Sequence, residues 1–269
     1  MEHDFDGVLL SCTENVATLT LNDPKTLNAF SARLLAGFAE ALTFVENPTN
    51  SIRCLVMTGA GRGFSAGANL TAVDEKNKTS NHSAPPDAGA VLETHYHPLL
   101  RRLRNLNIPI VTAVNGPAAG VGMSFALMGD MILAGRSAFF LQAFRGIGLV
   151  PDGGATWLLP RLVGMARAKE LAVMGERLSA ETALEWGLIN RVYDDEALMD
   201  EAQALGQQLA AGPVALGLIR NLLNASPDNS YEEQLDMERR FQRHAGRTRD
   251  FGEGVAAFIE KRSPNFKGE

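Results

Sequence analysis

Residues 54–67 read CLVMTGAGRGFSAG and residues 110–122 read IVTAVNGPAAGVG. Each block is a short, almost continuously apolar run followed at once by a loop of Gly, Ala and Ser. The runs Cys54–Thr58 and Ile110–Val114 have the pattern of strands buried on both faces rather than strands with one wet face. Strand, small-residue loop and helix recurring along a chain predict an α/β fold with helices packed on a sheet.

The flanking sequence agrees. Val16–Leu21 alternates and is rich in β-branched residues until Asn22-Asp23-Pro24 breaks it. Ser31 is placed to cap a helix whose apolar face is Leu34, Leu35, Phe38, Ala41, Leu42 and Val45 and which stops at Pro48. Residues 71–90 are polar, contain Pro85-Pro86 and read as a loop or lid. The pattern predicts a helix over 91–106, another over 124–127 and a strand over 131–134. Beyond Pro151 the signals are mostly helical: 164–173, 179–186 with Gly187 as cap, 198–211, 213–224 and 231–244. The expected organisation is an α/β body over residues 1–200, carrying the site, and a helical region over 201–269.

Composition excludes several classes. The chain has 269 residues, 45% of them hydrophobic, and a formal net charge of −6. Such a chain buries a large core without staples. Cys12 and Cys54 cannot form a disulfide framework, and no CxxC spacing suits a metal or redox site. An acidic chain lacks the basic footprint of a nucleic-acid binder. No apolar run reaches the ~18–20 residues of a membrane span. The start, MEHDFDGVLLSC, is neither a secretory nor a transit signal, so the expectation is a cytoplasmic globular protein without a membrane partner.

The glycine-rich loop invites competing readings. As G-x-G-x-x from Gly59 or Gly61 it is a weak dinucleotide fingerprint without its helix. Gly63–Gly67 fits the G-x-S-x-G nucleophile elbow, with His244 the one well-placed late histidine. His95 and His97 point to different faces of a helix and make no metal pair. Taken together, the two loops bring free backbone N–H groups to one end of the sheet, which suits an oxyanion hole. Tight turns and close packing explain the same small residues, and the pattern alone does not choose.

A resemblance decides more. LNDPKTLNAFS, CLVMTGAGRGFSAGANL, PIVTAVNGPAAGVGMSFALMGD, IGLVPDGGATWLLPRLVG and FIEKRSPNF follow, in order and spacing, the pattern of the crotonase (enoyl-CoA hydratase/isomerase) superfamily, and the chain resembles it from Val8 to Phe266. The resemblance implies a spiral core of ββα units, a helical C-terminal trimerisation region, a homotrimer or dimer of trimers, and an acyl-CoA thioester substrate. It implies no metal and no cofactor beyond the CoA of the substrate. Carried over by position, the oxyanion hole falls on the N–H groups of Ala68 and Val121. CoA contacts fall on the backbone around Ser65, Ala66, Gly67 and Ala68, with Lys25, Leu27, Asn28 and Ala29 close by and Arg62 as a further cation. Asn69 stands where many members carry Asp.

Two departures bear on the reaction. Where hydratases of the family carry glutamates, this chain has Ser124 and Phe144. Phenylalanine moves no proton, and an unassisted serine is a poor base. A single acid, Asp152, lies in LVPDGG, the loop where the resemblance places the acid of the Δ3,Δ2-enoyl-CoA and ring-epoxide phenylacetyl-CoA isomerases. The expectation is a single-acid proton shuttle, with Phe144 and Phe140 among the apolar walls that raise the Asp152 pKa. Pro-Asp-Gly is also a turn signature. A hydratase or other crotonase activity, a silent acyl-CoA binder and a serine hydrolase remain as alternatives.

Overall fold

The fold follows from where the buried strands put their side chains. In the computed structural model, which describes residues 1–70 and 87–269, β4 (Cys54–Gly59) is buried along its whole length. Leu55 and Met57 enter one apolar cluster, whereas Cys54 and Val56 enter another. β5 (Ile110–Val114) divides in the same way, Ile110 and Val114 to the first cluster, Val111 and Ala113 to the second. Alternating side chains that are all apolar require cover on both faces of the sheet.

These strands lie in a seven-stranded sheet. Its first three, β1 (Glu2–Asp4), β2 (Val8–Thr13) and β3 (Val16–Leu21), form an antiparallel meander. β3, β4, β5, β7 (Met131–Gly135) and β10 (Arg191–Tyr193) then run parallel. One face is covered by α1 (Ala32–Glu46), which starts where Ser31 accepts the N–H of Leu34 at 3.2 Å. The other is covered by α7 (Leu198–Ala210), whose Leu198, Ala202 and Leu205 close the second cluster.

A second, smaller sheet joins β6 (Pro117–Ala119), β8 (Phe139–Leu141) and β9 (Leu178–Ser179). β5 is followed by β6, and β7 by β8. β4 is followed by a segment whose Ser65 bridges to Ala118 of β6. Three consecutive turns of chain thus place one strand in the large sheet and the next in the small one. The helices that follow are α4 (Val121–Ala126) and α5 (Ala155–Met174). This is the expected α/β spiral.

Several local expectations need correction. Residues 88–90 are helical, in α2 (Ala88–Val91), because Asp87 caps them by accepting the N–H of Gly89 at 2.8 Å; residues 71–86 of the expected loop lie outside the described residues. α4 begins at Val121, three residues before the expected 124. Gly164 (φ 79°, ψ 161°) is not helical and divides α5 at a kink: the part after it is the helix expected over 164–173, and the part from Ala155 to Val163 is not expected. The sequence pattern does not predict β6, β8, β9 or β10 as strands. No described helix is long and apolar enough to cross a membrane.

α6 (Ala180–Glu185), α8 (Ala215–Ala225), α9 (Tyr231–Ala245) and α10 (Arg249–Glu260) complete the chain. α8 is fixed to the body by one buried cation. Arg220 donates to Asp130 at 2.7 Å and to the carbonyls of Leu103, Arg104 and Leu106 at 2.8, 2.7 and 2.9 Å. Asp130 accepts the N–H of Ile110 at 2.7 Å as well, so a single carboxylate ties α8 to the start of β5. Asp130 is partly exposed, but removing the buried guanidinium also takes the donor from three main-chain carbonyls. Arg220→Ala should therefore lower stability by ~3 kcal/mol, read as an earlier midpoint in chemical denaturation.

Candidate active site

The first loop is held from below by the segment before α1. Leu27 and Asn28 both adopt left-handed backbone (φ 55° and 56°), which turns the Asn28 side chain into the protein. There its amide donates to the carbonyls of Ala60 and Gly63 at 3.0 and 2.8 Å, and its oxygen accepts the N–H of Asp23 at 2.8 Å. Ala66 N–H donates to Leu27 O at 2.8 Å, Phe30 N–H to Gly67 O at 2.7 Å, and Asn69 N–H to Phe30 O at 3.1 Å.

The second loop lies directly against the first. Ser65 N–H donates to Pro117 O at 3.0 Å, and Ala119 N–H to Ser65 O at 2.9 Å. A Cβ on Gly67 would sit 2.7 Å from Ala119 O, and one on Gly122 2.6 Å from Ser65 O. Only hydrogen fits at either place. Beyond this contact, the Ala68 and Val121 N–H groups project from adjoining backbone, and among the described residues neither has an acceptor. Gly120, at φ 52°, turns the chain into α4 and leaves Val121 as its first residue.

Ser65 is not available as a nucleophile. It is fully buried, its hydroxyl donates to Asn28 O at 2.8 Å, and it accepts the N–H of Gly67 at 3.2 Å. With its N–H and C=O also used, Ser65 shapes the loop and offers nothing to a ligand. Ala66, Ala68 and the cations Lys25 and Arg62 are exposed at the rim, and Asn69 is half-buried.

Asp152 arrives from the turn before α5. Gly153 (φ 60°) packs so closely on α4 that a Cβ would lie 2.7 Å from Ser124 Cβ and 3.2 Å from Val121 Cγ2. Ser124, fully buried, donates its hydroxyl to the Asp152 carbonyl at 3.0 Å. The serine that stands in place of a glutamate thus brackets the loop carrying the acid. Asp152 Oδ1 is buried and has no hydrogen-bond partner among the described residues. Burial alone raises the carboxyl from 3.8 to about 6, because the charged form loses its water. Phe144 is buried beside the Gly120 turn, and Phe140 is buried in β8. Tyr96, which sequence patterning passes over as a core aromatic, is close enough to Asp152 for the carboxylate charge to raise its phenol further above the value burial gives it.

A two-sheet spiral whose small-residue loops adjoin, with an acid on the turn packed against the helix that follows the second loop, defines a crotonase-fold protein. The sequence model of the enoyl-CoA hydratase/isomerase family matches residues 11–269, and the chain belongs to that family of enzymes. It is 50% identical over 266 residues to the 1,2-epoxyphenylacetyl-CoA isomerase of Escherichia coli, covering 98% of this chain and 100% of that one. It is 33% identical to the 2,3-dehydroadipyl-CoA hydratase of the same organism, over 97% and 98% of the two chains. The crystal structure of an enoyl-CoA hydratase/isomerase from Cupriavidus metallidurans superposes with a TM-score of 0.89 at 32% identity, covering 99% of this chain and 98% of that one.

The raised Asp152 pKa carries a stability consequence. A carboxyl that holds its proton more tightly when folded stabilises the fold below its unfolded value of 3.8, and that contribution is lost as pH rises through about 6. Asp152→Asn keeps the site uncharged throughout. It should be more stable than the parent above pH 7, by ~1–2 kcal/mol after allowance for solvent screening. The difference should vanish below pH ~4, where the parent carboxyl is itself protonated. Thermal unfolding across this range measures it.

Proposed function

We propose that this protein is an acyl-CoA thioester isomerase working by a single-acid proton shuttle. Asp152 takes a proton from one carbon of the acyl group, the negative charge passes to the thioester oxygen, and the same carboxyl returns the proton at a second carbon. Nothing is gained or lost by the substrate, so no cofactor beyond its own CoA is called for. The Ala68 and Val121 N–H groups receive the oxygen as its charge grows. Two preorganised donors there contribute several kcal/mol to the barrier reduction, at ~3–4 kcal/mol for one such donor.

The observation that carries this reading is the buried Asp152 Oδ1 on a turn packed against Val121 and Ser124; among the described residues it has no partner, and the N–H groups of Ala68 and Val121 have no acceptor. The likeness to a 1,2-epoxyphenylacetyl-CoA isomerase supports the ring-epoxide class of substrate, with 3-enoyl-CoA esters as the simpler relatives. Syn-hydration by two carboxylates is disfavoured by Phe144 and by Ser124, whose hydroxyl is spent on the Asp152 carbonyl. Lys25 and Arg62, exposed by the first loop, are placed to meet the phosphates of CoA, with Leu27, Ala66, Gly67 and Asn69 along the path of its arm.

The same reading includes assembly as a homotrimer or dimer of trimers. Ile219 and Leu223 of α8 and Phe251, Val255, Phe258 and Ile259 of α10 remain exposed on one chain. Apolar area of this kind marks an interface. Light scattering at micromolar concentration should give three or six times the 28.9 kDa of the chain; a 28.9 kDa particle would remove the proposal.

A spectrophotometric panel of 3-enoyl-, 2-enoyl- and ring-epoxide CoA thioesters tests the reaction. Isomerisation should appear with the first or third, and kcat/KM should fall on the acid side of about pH 6 as Asp152 protonates. Asp152→Asn should bind the esters normally and turn over at least ~10²-fold more slowly. Turnover by that variant at the parental rate would eliminate the single-acid mechanism, and a parent that binds but converts none of the three would leave the silent-binder alternative.

A further inference from the structure

A groove of about 280 Å³ is lined on one side by α3 (His97–Asn105) and on the other by the start of α5. Leu100, Met128 and Leu158 give it an apolar lining, with main chain at Gly153 and Gly154. Neither of the two small-residue loops lines it, nor do Ser124 and Asp152, so it is separate from the candidate active site. The volume is at the small end of ligand sites. It admits one ring or a short chain, and it is too small for a CoA ester.

The α3 wall is basic. His97, Arg101 and Arg104 recur at helical spacing on one face, and all three line the groove. Among the described residues no carboxylate lines it, although the chain as a whole carries a net charge of −6. The cations are not equivalent. Arg104 is committed elsewhere: it donates to Asn224 O at 2.6 Å and lies 3.4 Å from the Asp228 carboxylate. Arg102, the next residue along, is bound to Glu46, Thr43 and the Ala39 carbonyl. Arg101 is exposed and has no hydrogen bond or ion pair among the described residues. A guanidinium is a planar fork of donors that matches a carboxylate.

Trp157 supplies the flat part of the opposite wall. The guanidinium groups of Arg104 and Arg161 lie over its ring at 4.2 and 4.0 Å from the centroid, which holds the indole in one orientation. We propose that this groove is a second binding site, for a small organic acid with an apolar body. The carboxylate pairs with Arg101, and the body lies against Leu100, Met128, Leu158 and Trp157. Both parts of the ligand are needed. A bare inorganic anion would cover none of the apolar lining, and a neutral ring compound would leave the Arg101 fork unpaired. The site goes beyond the thioester reading and does not depend on it.

Trp157 is also the reporter, since the one other tryptophan is Trp186. In a Trp186→Phe background, 3-phenylpropionate should change Trp157 emission saturably. It should bind at least ~10-fold more tightly than its neutral amide, about the effect of one charge-assisted hydrogen bond. Calorimetry on the parent chain gives the same comparison without the substitution. Arg101→Gln, at an exposed position, should bring acid and amide within ~2-fold of each other. Asp152→Asn should keep the preference, and saturating phenylacetyl-CoA should leave the affinity for the acid within ~2-fold, because the two sites are separate. The proposal is overturned by the absence of saturable binding, by equal binding of the amide or of inorganic phosphate, or by a preference that survives Arg101→Gln. Displacement of the acid by phenylacetyl-CoA overturns it as well, by placing the acid in the thioester site.

Discussion

Everything at the site depends on how closely two loops approach each other. The exchange of hydrogen bonds between Ser65 and the backbone of Pro117 and Ala119 brings main chain against main chain with no side chain between. Three glycines make the approach possible. A Cβ on Gly67 would lie 2.7 Å from Ala119 O, on Gly122 2.6 Å from Ser65 O, and one on Gly116 would run into Arg62 O. The same contact consumes inward-facing donors and leaves outward-facing ones. Ser65, Ala66, Gly67, Ala119 and Gly120 bond across or beneath the loops, while among the described residues the N–H groups of Ala68 and of Val121 at the start of α4 have no acceptor. The unpaired donors are thus a geometric consequence of the joint between the two sheets.

That logic separates what the sequence displays from what it conceals. The strands of the large sheet are legible because each is apolar without interruption, and β5 begins and ends where the pattern puts it. The short strands β6 and β8 are not, because three residues of Pro-Ala-Ala or Phe-Phe-Leu have no periodicity and pair with partners far away in the chain. α4 starts earlier than expected because Gly122, needed for contact with Ser65, reads locally as a turn. α10 passes unnoticed because Gly252 and Gly254 interrupt its apolar positions and much of its apolar face is exposed on the single chain.

The site shows the same division. Asp152 and the two loops could be named from their resemblance to a family, since those residues sit in contiguous motifs. The roles of Ser65 and Ser124 could not. A serine in a Gly-Ala loop suggests a nucleophile until its hydroxyl is found facing Asn28. Ser124 appears as the loss of a glutamate until its hydroxyl is found on the Asp152 carbonyl.

The chemistry of a lone acid explains why Asp152 Oδ1 has no partner among the described residues. A carboxyl that must both remove and return a proton works best when neither form is strongly preferred near neutral pH. A neighbouring arginine or lysine would hold it ionised and weaken it as a base. Hydrogen bonds to both oxygens would do the same. Desolvation acts in the opposite direction, and at Asp152 it is the sole cause of the rise to about 6. The bracket formed by Ser124 and Gly153 achieves this without charge: it grips the backbone of the acid's loop and leaves the carboxylate oxygens uncommitted. A glutamate at position 124 would have brought a second negative charge against the first. With serine there, the site has one acid beside α4, fixed by its main chain, whose proton affinity is raised by the loss of water around its buried Oδ1.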